Sequence, residues 1–262
     1  CKQYEIVNSP VPAAQDKLFV NPLVALESSV LKETFRKFVK ENGPFTAIHF
    51  NNIEGLSLDV LDLKKEFPET KFIYSMHNYV PICATGFYFQ RHNHCNCNPE
   101  HTGKDCMLCT RKIILRNIAD SVYKSAQFGI APEQCCSKDR WLKTFDFNRL
   151  DEDVNEDTIL TFAKTAVSKL NENCDSLLAV SKRVYDIAVE NGLDKNKLHV
   201  SYIGTEVAKR QVGKSLYRAE NGLKVVFLGN SLSYEEKGYP FLLDTLAKLE
   251  PEYASQIDMV LT

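Results

Sequence analysis

The chain has 262 residues, 44% of them hydrophobic, with 32 Lys and Arg against 34 Asp and Glu and a formal net charge of -2. That balance is ordinary for a globular protein and lacks the basic excess of a general nucleic-acid binder. No apolar run approaches the roughly 18–20 residues of a membrane span, and the opening residues, starting on Cys1, do not resemble a leader, so the chain is expected to be part of a longer one.

Residues 1–22 contain Pro10, Pro12 and Pro22 and form a broken lead-in. A helix is predicted over 27–41, stopped by Asn42-Gly43-Pro44. FTAIHF, 45–50, is a short β run. In IEGLSLDVLDLKKEF, Leu56, Val60, Leu63 and Phe67 fall at helical spacing, and Pro68 ends the segment. The run 71–76 is a second strand, which ends on His77 and Asn78. The three pieces make a β-α-β unit with parallel strands.

Residues 83–110 show neither period and form a cysteine-rich insertion. Helices are predicted over 111–127 and 134–146, and the acidic stretch 151–157 is expected to be a surface linker. A helix over 158–171, a strand over 175–181, a helix over 182–191 and a strand over 197–204 follow. The polar segment 205–222 is an interdomain linker. The pattern restarts with the strand LKVVFLG, the helix KGYPFLLDTLAKL and the apolar run QIDMVL. The expected fold class is α/β. A Rossmann-like parallel-sheet domain spans 1–204 and the start of a second one spans 223–262.

The ordered set FTAIHFNN, KFIYSMHN, CDSLLAVSKRVYDIAVENGL, KLHVSYIGTEV and LKVVFLGN…EEKGYPFLLDTLAKL resembles the retaining nucleotide-sugar glycosyltransferases of the GT-B fold, over about residues 45–250. The resemblance implies transfer of a hexose from a nucleoside-diphosphate sugar, UDP- or GDP-linked, to a glycan or lipid-linked acceptor. Anomeric configuration would be retained, in polysaccharide biosynthesis such as capsule assembly. It implies an acceptor-side first domain and a donor-binding second one, with no cofactor required for catalysis. His77 matches the family histidine at the strand end, which lies beside the donor sugar near the reacting carbon. Asn78 stands where Asp is common. Lys237-Gly238 matches the loop that grips the diphosphate, where Gly allows close backbone approach. Asn230, after Gly229, stands where the family has a second cation, an Arg. Asn51, Asn52 and Ser181 would line the acceptor-side cleft; Ser181 equally suits a helix cap. His49, inside its strand, is a packing histidine. The family's Gly-rich loop is not recognisable in 1–22, and its Glu-x7-Glu motif would lie after Thr262.

Nine cysteines are present, five of them between 83 and 109. In an intracellular α/β pattern thiols stay reduced, so a cytoplasmic setting is expected. Cys95, Cys97, Cys106 and Cys109 make C-x-C-x8-C-x2-C, two thiol pairs able to chelate a structural Zn²⁺. Cys83, His92, His94 and His101 are alternative ligands, and reduced cysteines or adventitious disulfides remain the other reading. RKIILR, with Lys104 nearby, is a basic-apolar patch of the kind related transferases use to touch the inner membrane face; an ordinary amphipathic helix accounts for it too.

Overall fold

The computed structural model describes residues 2–7, 9–11, 22–90, 93–98, 103–128, 150–204, 223–227 and 238–261. The chain divides into two compact units, Cys1–Ile203 and Gly204–Thr262.

In the first unit, helix α1 (Ser29–Asn42) starts where Ser28 Oγ accepts from the Leu31 N–H, and it ends at Gly43. Strand β1 (Ala47–Phe50) follows. The segment predicted as an α-helix around 56–67 is instead a 3-10 helix over Leu58–Lys65. Its i→i+3 bonds, Val60 N–H to Ser57 O at 3.1 Å and Glu66 N–H to Leu63 O at 2.9 Å, show the tighter winding. Leu58, Asp59, Val60, Leu61 and Leu63 are all buried, so most of the segment's circumference is covered and no single apolar stripe favours a 3.6-residue period. Strand β2 (Lys71–Met76) comes next. Phe72, Tyr74 and Met76 are buried, and so is Ser75 on the other face, as expected of a strand inside a parallel sheet.

The insertion is more regular than expected. It carries a short antiparallel pair, β3 (Phe89–Gln90) with β4 (Cys95–Asn96). Helix α2 (Gly103–Phe128) begins inside it, well before the predicted start at 111. The acidic stretch 151–157 is not a linker. Its first part is the single turn α3 (Leu150–Asp153), and its last residues open α4 (Glu156–Asn173). The reason is local: Asn155 accepts from the Thr158 N–H at 3.0 Å while the Asn155 N–H reaches Thr158 Oγ1 at 3.1 Å, a reciprocal cap. Glu156 and Asp157 then sit in the first turn, where the helix dipole favours negative charge. Val154, fully buried, packs with Ile113, Ile114 and Ile159.

Strand β5 (Ser176–Ala179), helix α5 (Lys182–Glu190) and strand β6 (Leu198–Val200) complete the unit. The sheet runs β1-β2-β5-β6, and every pairing is parallel. It is an α/β unit with a four-stranded parallel, Rossmann-like sheet. Phe50 and Phe72 meet edge to face at 5.5 Å, and Phe35 of α1 lies 5.9 Å from Phe50. Each such pair is worth roughly 0.5–1.5 kcal/mol beyond its burial.

At the N-terminal edge of the sheet, Asp175 joins β5 to β2. Its carboxylate accepts from the Phe72 N–H at 2.8 Å and pairs with Lys64 at 2.9 Å and Lys71 at 3.2 Å. Partial burial alone would raise this carboxyl; the Phe72 N–H and the two ammoniums outweigh it and hold the group at about 2.

The second unit contains β7 (Leu223–Phe227), α6 (Tyr239–Ala247), the turn α7 (Pro251–Ala254) and β8 (Ile257–Leu261). β7 and β8 pair in parallel, which makes this piece a β-α-β unit of its own. The predicted helix over 134–146 and the linker 205–222 lie outside the described residues.

Candidate functional site

Because all four strands of the first sheet point the same way, their C-terminal ends share one edge. That edge gathers most of the first-unit residues singled out from the sequence. Asn51 and Asn52 follow β1, His77 and Asn78 follow β2, and Ser181 lies two residues after β5.

The polar groups there are held by local geometry. Asn52 Oδ1 accepts from the N–H of Ile53 at 2.7 Å and of Glu54 at 3.2 Å, an Asx turn that bends the chain as it leaves β1. Glu54 receives the Asn78 amide at 2.7 Å, while Asn78 Oδ1 accepts from the Val80 N–H at 3.0 Å. The turns after β1 and β2 are thereby tied together. Asn51 and His77 are exposed, so their side chains are presented to solvent. Ser181 caps α5, accepting from the Val184 N–H at 3.2 Å. His49 is engaged internally: its Nε2 lies 2.7 Å from Ser75 Oγ across the β1–β2 pair.

Two residues of this edge were not anticipated. Glu54 supplies a carboxylate; the sequence signal was an acidic residue two positions beyond the flagged asparagines. Arg183, exposed on the first turn of α5, supplies a cation. Burial raises the Tyr79 hydroxyl, and the Arg183 charge partly offsets that rise, which places the guanidinium within electrostatic reach of the chain after β2. A cation in the first helical turn opposes the helix dipole, a position better suited to meeting an anion than to stabilising the helix. Together these groups place an imidazole, amides, a carboxylate and a guanidinium around the strand ends of the first sheet.

In the second unit, Gly238 adopts φ 79° and heads α6, with Pro240 in the first turn. A left-handed conformation favours glycine here. Gly229, Asn230 and Lys237 lie outside the described residues.

The cysteines fall in two environments. Cys95 is exposed on β4, with its sulfur 3.6 Å from Gln90 Oε1. Cys97, Cys106 and Cys109 are joined by Cys83, and the four thiols line one cavity of about 150 Å³ together with Asp105 and Gln90. Burial pushes the Cys97 thiol up, and Cys83, Cys109 and Cys106 push it further. Burial likewise pushes Cys106 up to about 12, reinforced by Cys83, Cys109 and Asp105. None of the six described cysteines, Cys174 included, is in a disulfide. Among the described residues, no group of three or more His, Cys, Asp or Glu side chains is placed so that it could hold a metal ion. His94 lies 3.3 Å from Lys112 Nζ, whereas His92 and His101 lie outside the described residues.

The basic-apolar patch is largely engaged within the unit. Arg111 pairs with Asp151 at 2.6 Å and donates to Val154 O, and Ile113 and Ile114 are buried. Leu115 is exposed. Among the described residues no helix is long and apolar enough to cross a membrane.

No family model, curated protein or solved structure matches the chain.

Proposed function

We propose that the chain is part of a retaining hexosyltransferase of the GT-B type, and that the edge formed by residues 51–54, 77–78 and 181–183 binds the sugar end of a nucleoside-diphosphate sugar together with its glycan or lipid-linked acceptor. The observation that carries this reading is the position of His77. It is exposed at the C-terminal end of a central parallel strand, beside a second strand end bearing Asn51, Asn52 and Glu54. Ligands of open α/β sheets bind at such strand ends.

The His77 imidazole would hydrogen-bond the donor sugar close to the carbon that changes partners. In the second unit, Lys237-Gly238 matches the family loop that grips a diphosphate, a role that suits a cation beside a glycine. The departing phosphate oxygen would accept the proton of the incoming hydroxyl, so the reaction needs no separate protein base. Glu54 supplies the negative charge that the family commonly carries as Asp at position 78. The amide of Asn78 anchors that carboxylate, so the two positions together retain an acid at this edge. The activity would belong to the cytoplasmic side, at or near the inner membrane face.

The test is thermal unfolding with UDP- and GDP-sugars. A ligand at about 100 times its Kd stabilises by about 2.7 kcal/mol, an easily read rise in Tm. His77→Ala should then cost about 100-fold or more in transfer rate with little change in fold stability. A protein indifferent to every nucleotide sugar would end this reading. A second reading, a transferase-like binding protein without turnover, is favoured by Asn230 at the position of the expected second cation. It predicts the Tm rise without product.

A further inference from the structure

We infer that Cys83, Cys97, Cys106 and Cys109, and not Cys95, form a tetrathiolate site for a soft divalent cation, Zn²⁺ in the first instance, which clamps the connection between β2 and α2. The inference is independent of the transfer reaction.

The grouping rests on where the backbone carries the four sulfurs. Cys83 sits on the turn after β2, whose N–H donates to Tyr79 O at 2.7 Å. Cys97 follows β4, and its N–H donates to Tyr88 O at 3.2 Å. Cys106 and Cys109 stand one helical turn apart near the start of α2, and positions at i and i+3 share a helix face. Three separate segments thus bring four thiols to the wall of one cavity. The spacing in sequence favoured Cys95 as the fourth ligand. Positions 95 and 97 would share a face if the strand continued, but β4 ends at Asn96; past that end Cys97 is buried whereas Cys95 on the strand is exposed.

Four thiols gathered in one partly buried place are an awkward arrangement without a cation. Cys83 Sγ lies 3.1 Å from Thr85 Oγ1 and Cys109 Sγ donates to Phe89 O at 3.4 Å, but thiols are weak donors, and such bonds alone give little reason for four of them in one place. Tetrahedral Zn–S bonds are about 2.3 Å long; the four side chains line the cavity without being grouped for a metal, so the site closes only when they turn inward on the ion. Binding releases one proton from each thiol and leaves a doubly negative centre, close to the N-terminal end of α2, where the helix dipole favours negative charge. Helices α2 and α4 form part of the cavity wall, but the chain between Cys83 and Cys97 has less regular structure. β3 and β4 are two residues each, and Tyr88 and His94 take positive φ of 54°. A cation joining the turn after β2, the chain after β4 and α2 would add a cross-link to the hydrogen bonds already there.

The experiment is metal analysis of the purified whole protein, with Co²⁺ substitution as a spectroscopic count of thiolates. Near-stoichiometric zinc and the sulfur-to-cobalt absorption of a tetrathiolate centre are expected. Cys95→Ser should keep both. Cys83→Ser should lose metal affinity by more than the roughly 10- to 100-fold that loss of an outer-shell partner costs. Cys83→His separates ligand loss from misfolding: it should restore binding with the weaker absorption of three thiolates. A folded wild type without metal, or one whose intact mass shows these thiols paired as disulfides, overturns the proposal. Loss of metal in Cys95→Ser with retention in Cys83→Ser overturns the ligand set.

Discussion

The side-chain amide of Asn78 donates to the Glu54 carboxylate at 2.7 Å and so fastens the turn after β2 to the turn after β1. Asn78→Asp would set a second carboxylate against Glu54. Two like charges so close raise the pKa of one of them in the folded state above its unfolded value. The penalty is therefore absent below about pH 4 and grows as pH rises through the raised value. A loss of about 1–2 kcal/mol is expected at pH 7. Adding Glu54→Gln should recover most of it, because the new amide can donate to Asp in the reversed sense. A double-mutant cycle without coupling would show that the pair is not formed in solution.

Asp175 should dominate the acid sensitivity of the first unit. Its carboxyl is held at about 2, below the unfolded range near 3.9. A depressed acid contributes stability above its unfolded pKa and loses it as pH falls through its folded one. Asp175→Asn should retain the bond from the Phe72 N–H but lose the attraction of Lys64 and Lys71. Allowing for solvent screening, about 1–2 kcal/mol should disappear at pH 7 and only about a third of that at pH 2.5, just above the folded value. Urea midpoints of the two proteins at the two pH values decide it; an equal deficit at both would contradict the ionic account.

Gly103 opens α2 against α4. A Cβ there would lie 2.9 Å from Leu160 Cδ1, 3.1 Å from Leu160 Cγ and 3.2 Å from Glu156 Cβ. Helix propensity favours Ala over Gly by about 1 kcal/mol, but overpacking costs about 1–3 kcal/mol. Gly103→Ala should therefore lower stability by about 1 kcal/mol. In a Leu160→Ala background, where the obstructing side chain is gone, the same change should turn neutral or favourable. Persistence of the loss in that background would point away from this contact.

Ser57 shows the opposite sign. Its Oγ is fully buried and has no hydrogen-bond partner among the described residues, and it does not cap the 3-10 helix it precedes. A buried hydroxyl of that kind costs free energy, so Ser57→Ala should leave stability unchanged or raise it by up to about 1 kcal/mol. A measured loss above about 1 kcal/mol would reveal a bond that the side chain does make.

The strand ends were legible in the sequence because FTAIHF and KFIYSM are short, apolar and bounded by turn residues. A parallel sheet then dictates that Asn51, Asn52, His77, Asn78 and Ser181 share an edge. Helix boundaries were less legible where chemistry obscured packing. Reading Cys106 and Cys109 as ligands removed them from the apolar count. Counted as small hydrophobes, Cys106, Cys109 and Ile113 extend one helix face back from 113 towards Gly103. The acidic stretch misled for a similar reason: its charges suggested a linker, but Asn155 and Thr158 turn it into a helix start. Cys83 and Glu54 could not be assigned from spacing, since each meets its neighbours only through tertiary structure.

The order of strands in the first sheet has a kinetic consequence. Ala47 pairs with Lys71, but Ile73 pairs with Ser176, about four times as far along the chain. Each doubling of a closed loop adds about 0.6 kcal/mol of entropy, so joining β5 to β2 is about 1.2 kcal/mol more demanding than joining β2 to β1. Refolding should begin in the first β-α-β unit and wait for β5. Conservative substitutions at Phe50 or Phe72 would then slow refolding, while those at Leu177 or Leu198 would mainly hasten unfolding.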